Sequence, residues 1–117
     1  MKATAFGSTL LIIDREWNDN TGTHLNRPAI FIADNGDGTI KVMRASTKRA
    51  KRGLPPRAED RRVMADGAGF GNSFNEVCDL KGGSCGIIEA LPTHLVIRQL
   101  GDLSKADAWW VEDQVFA

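Results

Sequence analysis

A four-residue turn, Asn35-Gly36-Asp37-Gly38, separates two strongly apolar segments and constrains the fold more than any other feature of this sequence. Asparagine, aspartate and glycine accept the positive backbone φ that tight hairpin turns require. The flanking segments, residues 28–34 and 39–45, therefore predict two antiparallel strands joined by this turn. Pro28 suits the first position of a strand, where the ladder can forgo an N–H donor.

Other segments add strands to this hairpin. Further apolar stretches predict strands at residues 6–14, 74–80, 86–91 and, as a short strand or a helical turn, 95–100. The sequence Lys81-Gly82-Gly83-Ser84 predicts a second hairpin, which would join the segments at 74–80 and 86–91. Residues 46–64 are basic and contain Pro55-Pro56, so they predict a long exposed connection.

The end of the chain carries a helix signal. Ser104 is followed three residues later by Asp107, an N-cap pattern with an acid in the first turn, so residues 104–116 predict a terminal helix. Its apolar side would be formed by Trp109, Trp110, Val111, Val115 and Phe116. Because adjacent helical residues point about 100° apart, we expect one tryptophan in the core and the other at an interface or stacked on a nucleic-acid base.

These elements predict a mainly β fold, a small, strongly bent antiparallel sheet or partly open barrel with a C-terminal helix. The chain has 117 residues, of which 42% are hydrophobic. It is therefore long enough for a single domain, residues 1–117, and too short for two ordinary domains. The longest apolar runs are far shorter than the roughly 18 residues that span a bilayer. We therefore expect a soluble, cytoplasmic protein without membrane contact.

Charge is distributed unevenly although the formal net charge is zero. Residues 44–62 contain eight basic residues and two acids, a local excess of six positive charges that the rest of the chain balances. Such a segment can attract a polyanion, and it can equally be a solvated loop. If it binds RNA, the expected contacts are Arg44, Lys48, Arg49, Lys51 and Arg52.

Two other patterns favour a structural role over a ligand-binding site. Cys78, Cys85, His24 and His94 supply four potential metal ligands, but their spacing fits no zinc motif, so we predict no metal and no cofactor. The cysteines are expected to be packed thiols. The glycines at Gly67, Gly69 and Gly71 precede no Gly-Lys-Ser or Gly-Lys-Thr, and a flexible loop is favoured over a phosphate-binding one.

His24 and Arg27 lie together in a predicted loop between two strands. Cleavage of RNA by its own 2′-hydroxyl needs a base, a positive group beside the phosphate and an acid for the departing oxygen. Histidine can act as acid or base near neutrality, and arginine can hold two phosphate oxygens. The alternative is that His24 is an ordinary solvated loop residue.

Several motifs together resemble the MazF/PemK family of toxin endoribonucleases. Gly22-Thr23-His24-Leu25-Asn26-Arg27-Pro28 and the apolar strand after it look like the family's opening motif, and the strand that ends in Ser46-Thr47 looks like its second. Leu54-Pro55 and Leu100-Gly101-Asp102-Leu103-Ser104 are similar to later family features. One segment departs from the pattern: Ile87-Ile88-Glu89-Ala90-Leu91-Pro92 replaces the usual Ser-x-Val and Leu-Arg run, as in a diverged member.

The resemblance implies a MazF/PemK/CcdB-like fold and metal-independent cleavage of single-stranded RNA, leaving a cyclic phosphate and a 5′-hydroxyl. Arg27 would stabilise charge on the scissile phosphate and transfer a proton, Thr47 or Ser46 would orient the phosphate, and His24 is a further candidate. A homodimer and an antitoxin partner are also implied. Because Arg27 is predicted in a loop, Arg27→Ala is expected to lose cleavage and keep the fold.

Two alternatives belong to other classes. A non-catalytic module of the same fold could bind nucleic acid or an acidic protein through the basic segment at residues 44–62. A toxin of similar fold could instead act on a protein target such as a topoisomerase, in which case the likeness would lie in the barrel and not in Arg27 or Thr47.

Overall fold

A computed structural model of the chain describes residues 5–15, 25–46, 58, 60–64, 77–82 and 86–116. The described strands are β1 (Ser8–Asp14), β2 (Leu25–Asp34), β3 (Thr39–Ser46), β4 (Asp60–Met64), β5 (Val77–Lys81), β6 (Ile87–Pro92) and β7 (Val96–Asp102). A 3-10 turn at Thr93–Leu95 joins β6 to β7, and helix α1 (Lys105–Phe116) follows.

The strands form one seven-stranded antiparallel sheet in the order β4-β5-β3-β2-β1-β7, with β6 paired to β3 beside β5. No pairing joins β4 to β7 in the described part of the chain, so the sheet is open. A mainly β fold with a C-terminal helix is thus confirmed.

The hairpin formed by β2 and β3 is the centre of the sheet. Gly36 and Gly38 adopt φ of 80° and 85°, and the Asn35 amide donates to the Thr39 carbonyl at 3.0 Å, as the turn sequence predicted. The Gly36 amide also donates to Asp34 Oδ1 at 2.8 Å. β2 begins at Leu25, three residues before the predicted start at Pro28.

The predicted second hairpin is wrong, because β5 and β6 each pair with β3 instead of with one another. β5 pairs through Ala45 and Ser46, and β6 pairs along the first half of β3. The residue before β6 lies close to the end of β5. A Cβ on Gly86 would lie 2.2 Å from the Lys81 carbonyl oxygen, so only glycine fits there. Gly83 and Ser84 of the predicted turn, and Cys85 after it, lie outside the described residues.

β4 lies within the segment that was predicted to be an irregular connection. It pairs with β5 through Val63 and Cys78, and both of these side chains are buried. Arg62 Nε also lies 3.3 Å from Asp79 Oδ1 on the neighbouring strand. A short strand with few apolar residues is therefore held by buried Val63, by the ion pair to β5, and by a second ion pair from Arg61 Nε to Asp107 Oδ1 of α1 at 2.7 Å.

The sheet buries side chains on both faces, as the continuous apolar runs of β1 and β2 predicted. One face, the helix face, packs against Val111 of α1 and includes Ile30, Ile32, Met43, Ala45, Val63, Cys78 and Leu80. The other, the open face, carries the apolar cluster Leu10, Ile12, Ala29, Phe31, Ile40, Val42, Ile88, Leu91 and Leu95. Side chains alternate along a strand, so the central strands β2 and β3 contribute to both clusters.

α1 begins as the sequence predicted. The Asp107 amide donates to Ser104 Oγ at 3.2 Å, and Ser104 Oγ donates to Asp107 Oδ2 at 2.9 Å. The apolar side differs in part from the prediction, because Trp109 is 59% exposed. Trp110 packs against the helix-face cluster, so one tryptophan is in the core and the other is not. The Lys105 ammonium lies 5.0 Å from the centre of the Trp109 ring. Within the described ranges no helix is long and apolar enough to cross a membrane.

Candidate active site

Arg27 lies on a strand and not in the predicted loop. It is the third residue of β2, opposite Ile12 on β1, and is only 8% exposed. The expectation that Arg27→Ala would leave the fold intact because of a loop position is therefore corrected. The apolar stem of this side chain contributes to packing as well as carrying the guanidinium.

Ser46 is the last residue of β3 and lies on the open face, as Arg27 does on β2. Ala29 and Arg44 form the last pair of the β2–β3 ladder, and Arg27 and Ser46 each lie two residues beyond it. Residues two apart on a strand share a face, so Arg27 lies on the face of Ala29 and Phe31. Ser46 is 6% exposed, and its pair on the neighbouring strand is Asp79. Two of the residues that the family resemblance singled out thus lie on one face at the same end of the hairpin.

Arg44 is buried in an ion pair and does not extend into an exposed basic segment. Its Nε donates to Asp14 Oδ2 at 2.6 Å, and its Nη2 lies 3.4 Å from Asp14 Oδ1. Nη1 reaches the Ile87 carbonyl at 3.5 Å. A guanidinium that already binds a buried carboxylate is poorly placed to contact RNA phosphate, which argues against Arg44 as one of the expected RNA contacts.

A second buried carboxylate completes a polar row across the sheet. Asp79 on β5 pairs with Ser46 on β3 and with Arg62 on β4, and it is 1% exposed. Because directly paired residues point to the same face, Asp79 and Arg62 lie on the open face with Ser46. The row runs through Asp14, Arg27, Arg44, Ser46, Asp79 and Arg62, at the end of the β2–β3 hairpin away from its turn.

Asp14 and Asp79 were not among the residues that the sequence indicated as functional. Both are acids at the end or in the middle of apolar strands, in Leu-Leu-Ile-Ile-Asp and Val-Cys-Asp-Leu. An acid in a buried strand requires a cationic or hydrogen-bonding partner. That signal could have identified both residues, although it could not have named Arg44 and Arg62 as their partners.

A cavity of about 140 Å³ borders the Asp14 end of this row. Ile88, Leu91, Pro92 and Leu95 supply most of its apolar lining, and Asp14 and Arg15 supply the charged residues. Arg15 and another lining residue, Ala90, are exposed, so the cavity reaches the surface.

The remaining predicted site residues lie outside the described residues: His24, Thr47, Lys48, Arg49, Lys51 and Arg52. The glycine segment at residues 67–71 and the Leu54-Pro55 pair also lie outside them. His94 is described and is exposed in the 3-10 turn. Among the residues that are described, no three histidines, cysteines or acids are grouped so as to bind a metal ion.

No protein-family model, curated protein or solved structure matches this chain. The functional argument therefore depends on the polar row itself. A guanidinium and a hydroxyl on opposed strands can bind one tetrahedral anion together, because arginine donates in a fixed fork and serine donates through a rotatable O–H. Low exposure strengthens such contacts relative to water.

Proposed function

We propose that this protein is a toxin-type endoribonuclease that cleaves single-stranded RNA without a metal ion. The observation that supports this most directly is that Arg27 and Ser46 lie on one face at the same end of the β2–β3 hairpin, each two residues beyond its last pair. These are residues at which the sequence resembles the MazF/PemK toxins. The proposal therefore rests on the resemblance together with this shared position.

Each residue would contribute a separate part of the reaction. The 2′-hydroxyl gives its proton to a base, for which His24 is the candidate, and its oxygen attacks the adjacent phosphorus. The bond to the 5′-oxygen breaks, and negative charge grows on the non-bridging oxygens. Arg27 would stabilise that charge and supply a proton to the departing 5′-oxygen, and the Ser46 hydroxyl would orient the phosphate. His24 and Thr47 remain candidates for proton transfer and phosphate contact.

Arg44 and Arg62 would keep the strands of the site in position. Arg44 joins β3 to β1 through Asp14, and Arg62 joins β4 to β5 through Asp79. Both pairs flank the Arg27 and Ser46 positions, so they limit movement of the strands that carry the reacting groups. Hydrogen-bond donors that packed neighbours already hold in position can stabilise the transition state without moving during the reaction.

We further propose the compartment, the oligomeric state and the partners of such a toxin. It would act in the cytoplasm as a homodimer, and an antitoxin protein would cover the RNA groove until the toxin is released. Lys48, Arg49, Lys51 and Arg52 would draw the RNA backbone towards the groove, so binding would weaken as salt rises.

A non-catalytic binding module is the second candidate. The low exposure of Arg27 and Ser46, 8% and 6%, favours it, because neither side chain presents much surface to a phosphate. In this case the basic residues at 48–52 would bind nucleic acid or an acidic protein. Retention of intact RNA, with affinity that falls steeply as salt rises, would support the module over the ribonuclease.

The test is incubation of the purified protein with a long single-stranded RNA in excess chelator, followed by mapping of the fragment ends. Discrete fragments with 2′,3′-cyclic phosphate and 5′-hydroxyl ends are expected. Intact RNA under all conditions would contradict the proposal. Fragments that disappear when the chelator is added would contradict the metal-independent mechanism.

A further inference from the structure

We propose that Asn35 is a self-modification site, at which the chain converts its own asparagine into aspartate or isoaspartate by losing ammonia. Asn35 and Gly36 form the one Asn-Gly pair in the sequence, and both residues are exposed in the turn between β2 and β3. This chemistry belongs to the turn alone and does not depend on ribonuclease activity.

The nucleophile in this reaction is the backbone nitrogen of Gly36. As this nitrogen attacks Cγ of the Asn35 side chain, an N–Cγ bond forms, the Cγ–Nδ2 bond breaks, and the Gly36 amide proton leaves with Nδ2 as ammonia. Water then opens the cyclic imide at either of its carbonyls, which leaves aspartate or isoaspartate in place of Asn35. Glycine has no Cβ to hinder the approach to its nitrogen, and the reacting groups belong to adjacent residues, so the attack is intramolecular.

The folded turn holds both reacting groups in hydrogen bonds. Asn35 Nδ2 donates to the Glu89 carbonyl oxygen at 2.8 Å and to Thr39 Oγ1 at 3.0 Å, which uses both of its hydrogens. The Gly36 amide donates to Asp34 Oδ1 at 2.8 Å. All of these bonds must break during the reaction, because Nδ2 leaves and the Gly36 nitrogen gives up its hydrogen. The modification is therefore expected to proceed through local opening of the turn, so the folded state should slow it.

The hydrogen bond from Asn35 to Glu89 is a tether between the turn and β6, and the product cannot restore it. Nδ2 is replaced by a carboxylate oxygen, which accepts hydrogen bonds and cannot donate to the Glu89 carbonyl. The new charge would also lie in the same turn as Asp34 and Asp37. Isoaspartate further adds a methylene to the backbone of the turn that sets the register of β2 and β3.

Loss of this tether would loosen the contact of β6 with the hairpin. β6 pairs with β3 and supplies Ile88 and Leu91 to the open-face cluster. The Thr93 amide still donates to the Gly38 carbonyl at 3.0 Å, so the segment after β6 keeps its own contact with the turn. The expected result is more frequent opening of β6, with the rest of the sheet still folded.

The test compares deamidation of the full chain in buffer and in guanidinium chloride, with each asparagine followed by peptide mass spectrometry. In denaturant Asn35 is expected to convert faster than every other asparagine. In the folded protein it should convert about tenfold more slowly than in denaturant, because its hydrogen bonds and that of Gly36 must open first. A folded rate that reaches the unfolded rate, or an Asn35 no faster than the other asparagines in denaturant, overturns the proposal.

Thr39→Val isolates one of these hydrogen bonds. Valine keeps the branched shape of threonine but lacks the hydroxyl oxygen that accepts from Nδ2. Asn35 should therefore convert faster in the folded variant than in the folded wild type, and at the wild-type rate in denaturant. Thr93→Val is the matched control, because the contact of Thr93 with Gly38 uses its backbone amide, and it should leave both rates unchanged. An unchanged folded rate in Thr39→Val would overturn the protection assigned to this turn.

Asn35→Asp supplies the product directly. Its β6 amides should exchange hydrogen faster than those of wild type, and so should those of Asn35→Ala, which lacks the donor without adding a charge. Amides of α1, on the other face of the sheet from the open-face cluster, provide the internal reference. Exchange at the wild-type rate in β6 of Asn35→Asp would overturn the role of Asn35 as a tether.

Discussion

Arg44 on β3 and Asp14 on β1 form a buried ion pair that spans β2, the strand between them. Arg44 Nε lies 2.6 Å from Asp14 Oδ2, and the two side chains are 8% and 1% exposed. The residue opposite Arg44 on β2 is Ala29, whose small side chain leaves room above the strand. This pair ties the centre of the sheet together at the edge of the candidate active site.

Breaking this pair from one side should destabilise the fold strongly. Arg44→Met leaves Asp14 buried without its guanidinium, and the expected loss is about 3–5 kcal/mol of unfolding free energy. The double variant Asp14→Leu with Arg44→Met removes both charges and should lose clearly less than the two single variants combined. Denaturant unfolding measures all three. A loss below about 1 kcal/mol for Arg44→Met, the range of exposed pairs, would show that the pair is solvated in solution.

The N-cap of α1 predicts a smaller effect. Ser104→Ala removes the oxygen that accepts from the Asp107 amide, and the expected loss is about 1 kcal/mol. Ser104→Asn provides the control because asparagine caps helices about as well as serine. If the alanine and asparagine variants unfold at the same denaturant concentration, the cap does not contribute.

Glycine substitutions separate steric crowding from backbone strain. A Cβ at Gly38 has no atom within 4 Å, so Gly38→Ala meets only the strain of φ at 85°, about 1–2 kcal/mol. A Cβ at Gly86 would lie 2.2 Å from the Lys81 carbonyl oxygen, and β5 and β6 would have to move apart. Thermal unfolding should therefore show a larger drop in Tm for Gly86→Ala than for Gly38→Ala. The reverse order would contradict the close approach of these strands.

The hairpin turn contains a carboxylate whose pKa is lowered by hydrogen bonds from Thr39. The Thr39 hydroxyl donates to Asp37 Oδ1 at 2.5 Å and the Thr39 amide at 3.0 Å, and these bonds lower the pKa of Asp37 below 3.8. The folded-state pKa is the lower one, so the contribution to stability is present above 3.8 and is lost as pH falls through the folded-state pKa. NMR titration should show the Asp37 pKa rising towards 3.8 in Thr39→Ala. An unchanged value would mean that the hydroxyl does not contribute.

Local chemistry made some elements predictable from the sequence. The turn at Asn35-Gly36-Asp37-Gly38 and the cap at Ser104 each act within a few residues, and both are present as predicted. β4 was missed because Asp60–Met64 has little apolar content and is held by its pairing with β5 and by the ion pair between Arg61 and Asp107 of α1. The pairing of β5 and β6 with β3 was missed because it likewise depends on contacts between separate segments of the chain.

The residues of the candidate site likewise divide into those that sequence motifs indicated and those that they did not. Arg27 and Ser46 were candidates because of motifs, and they share a face because both lie beyond the last pair of one predictable hairpin. Asp14 and Asp79 join the row through partners on non-adjacent segments of the chain, Arg44 and Arg62. Motifs do not reveal such partners, because the pairing depends on the order of strands in the sheet.

The most direct test of the ribonuclease proposal is the single-turnover rate of RNA cleavage by Arg27→Met, compared with wild type and with Arg98→Met. Methionine keeps an apolar stem at the buried position 27, and circular dichroism should first confirm that the variant is folded. Arg98 is exposed on β7 and serves as the matched control. Loss of a preorganised donor costs about 10²–10³ in rate, so Arg27→Met should be slower by at least about a hundredfold and Arg98→Met unchanged. Cleavage at the wild-type rate by folded Arg27→Met would contradict the assignment of Arg27 to the active site.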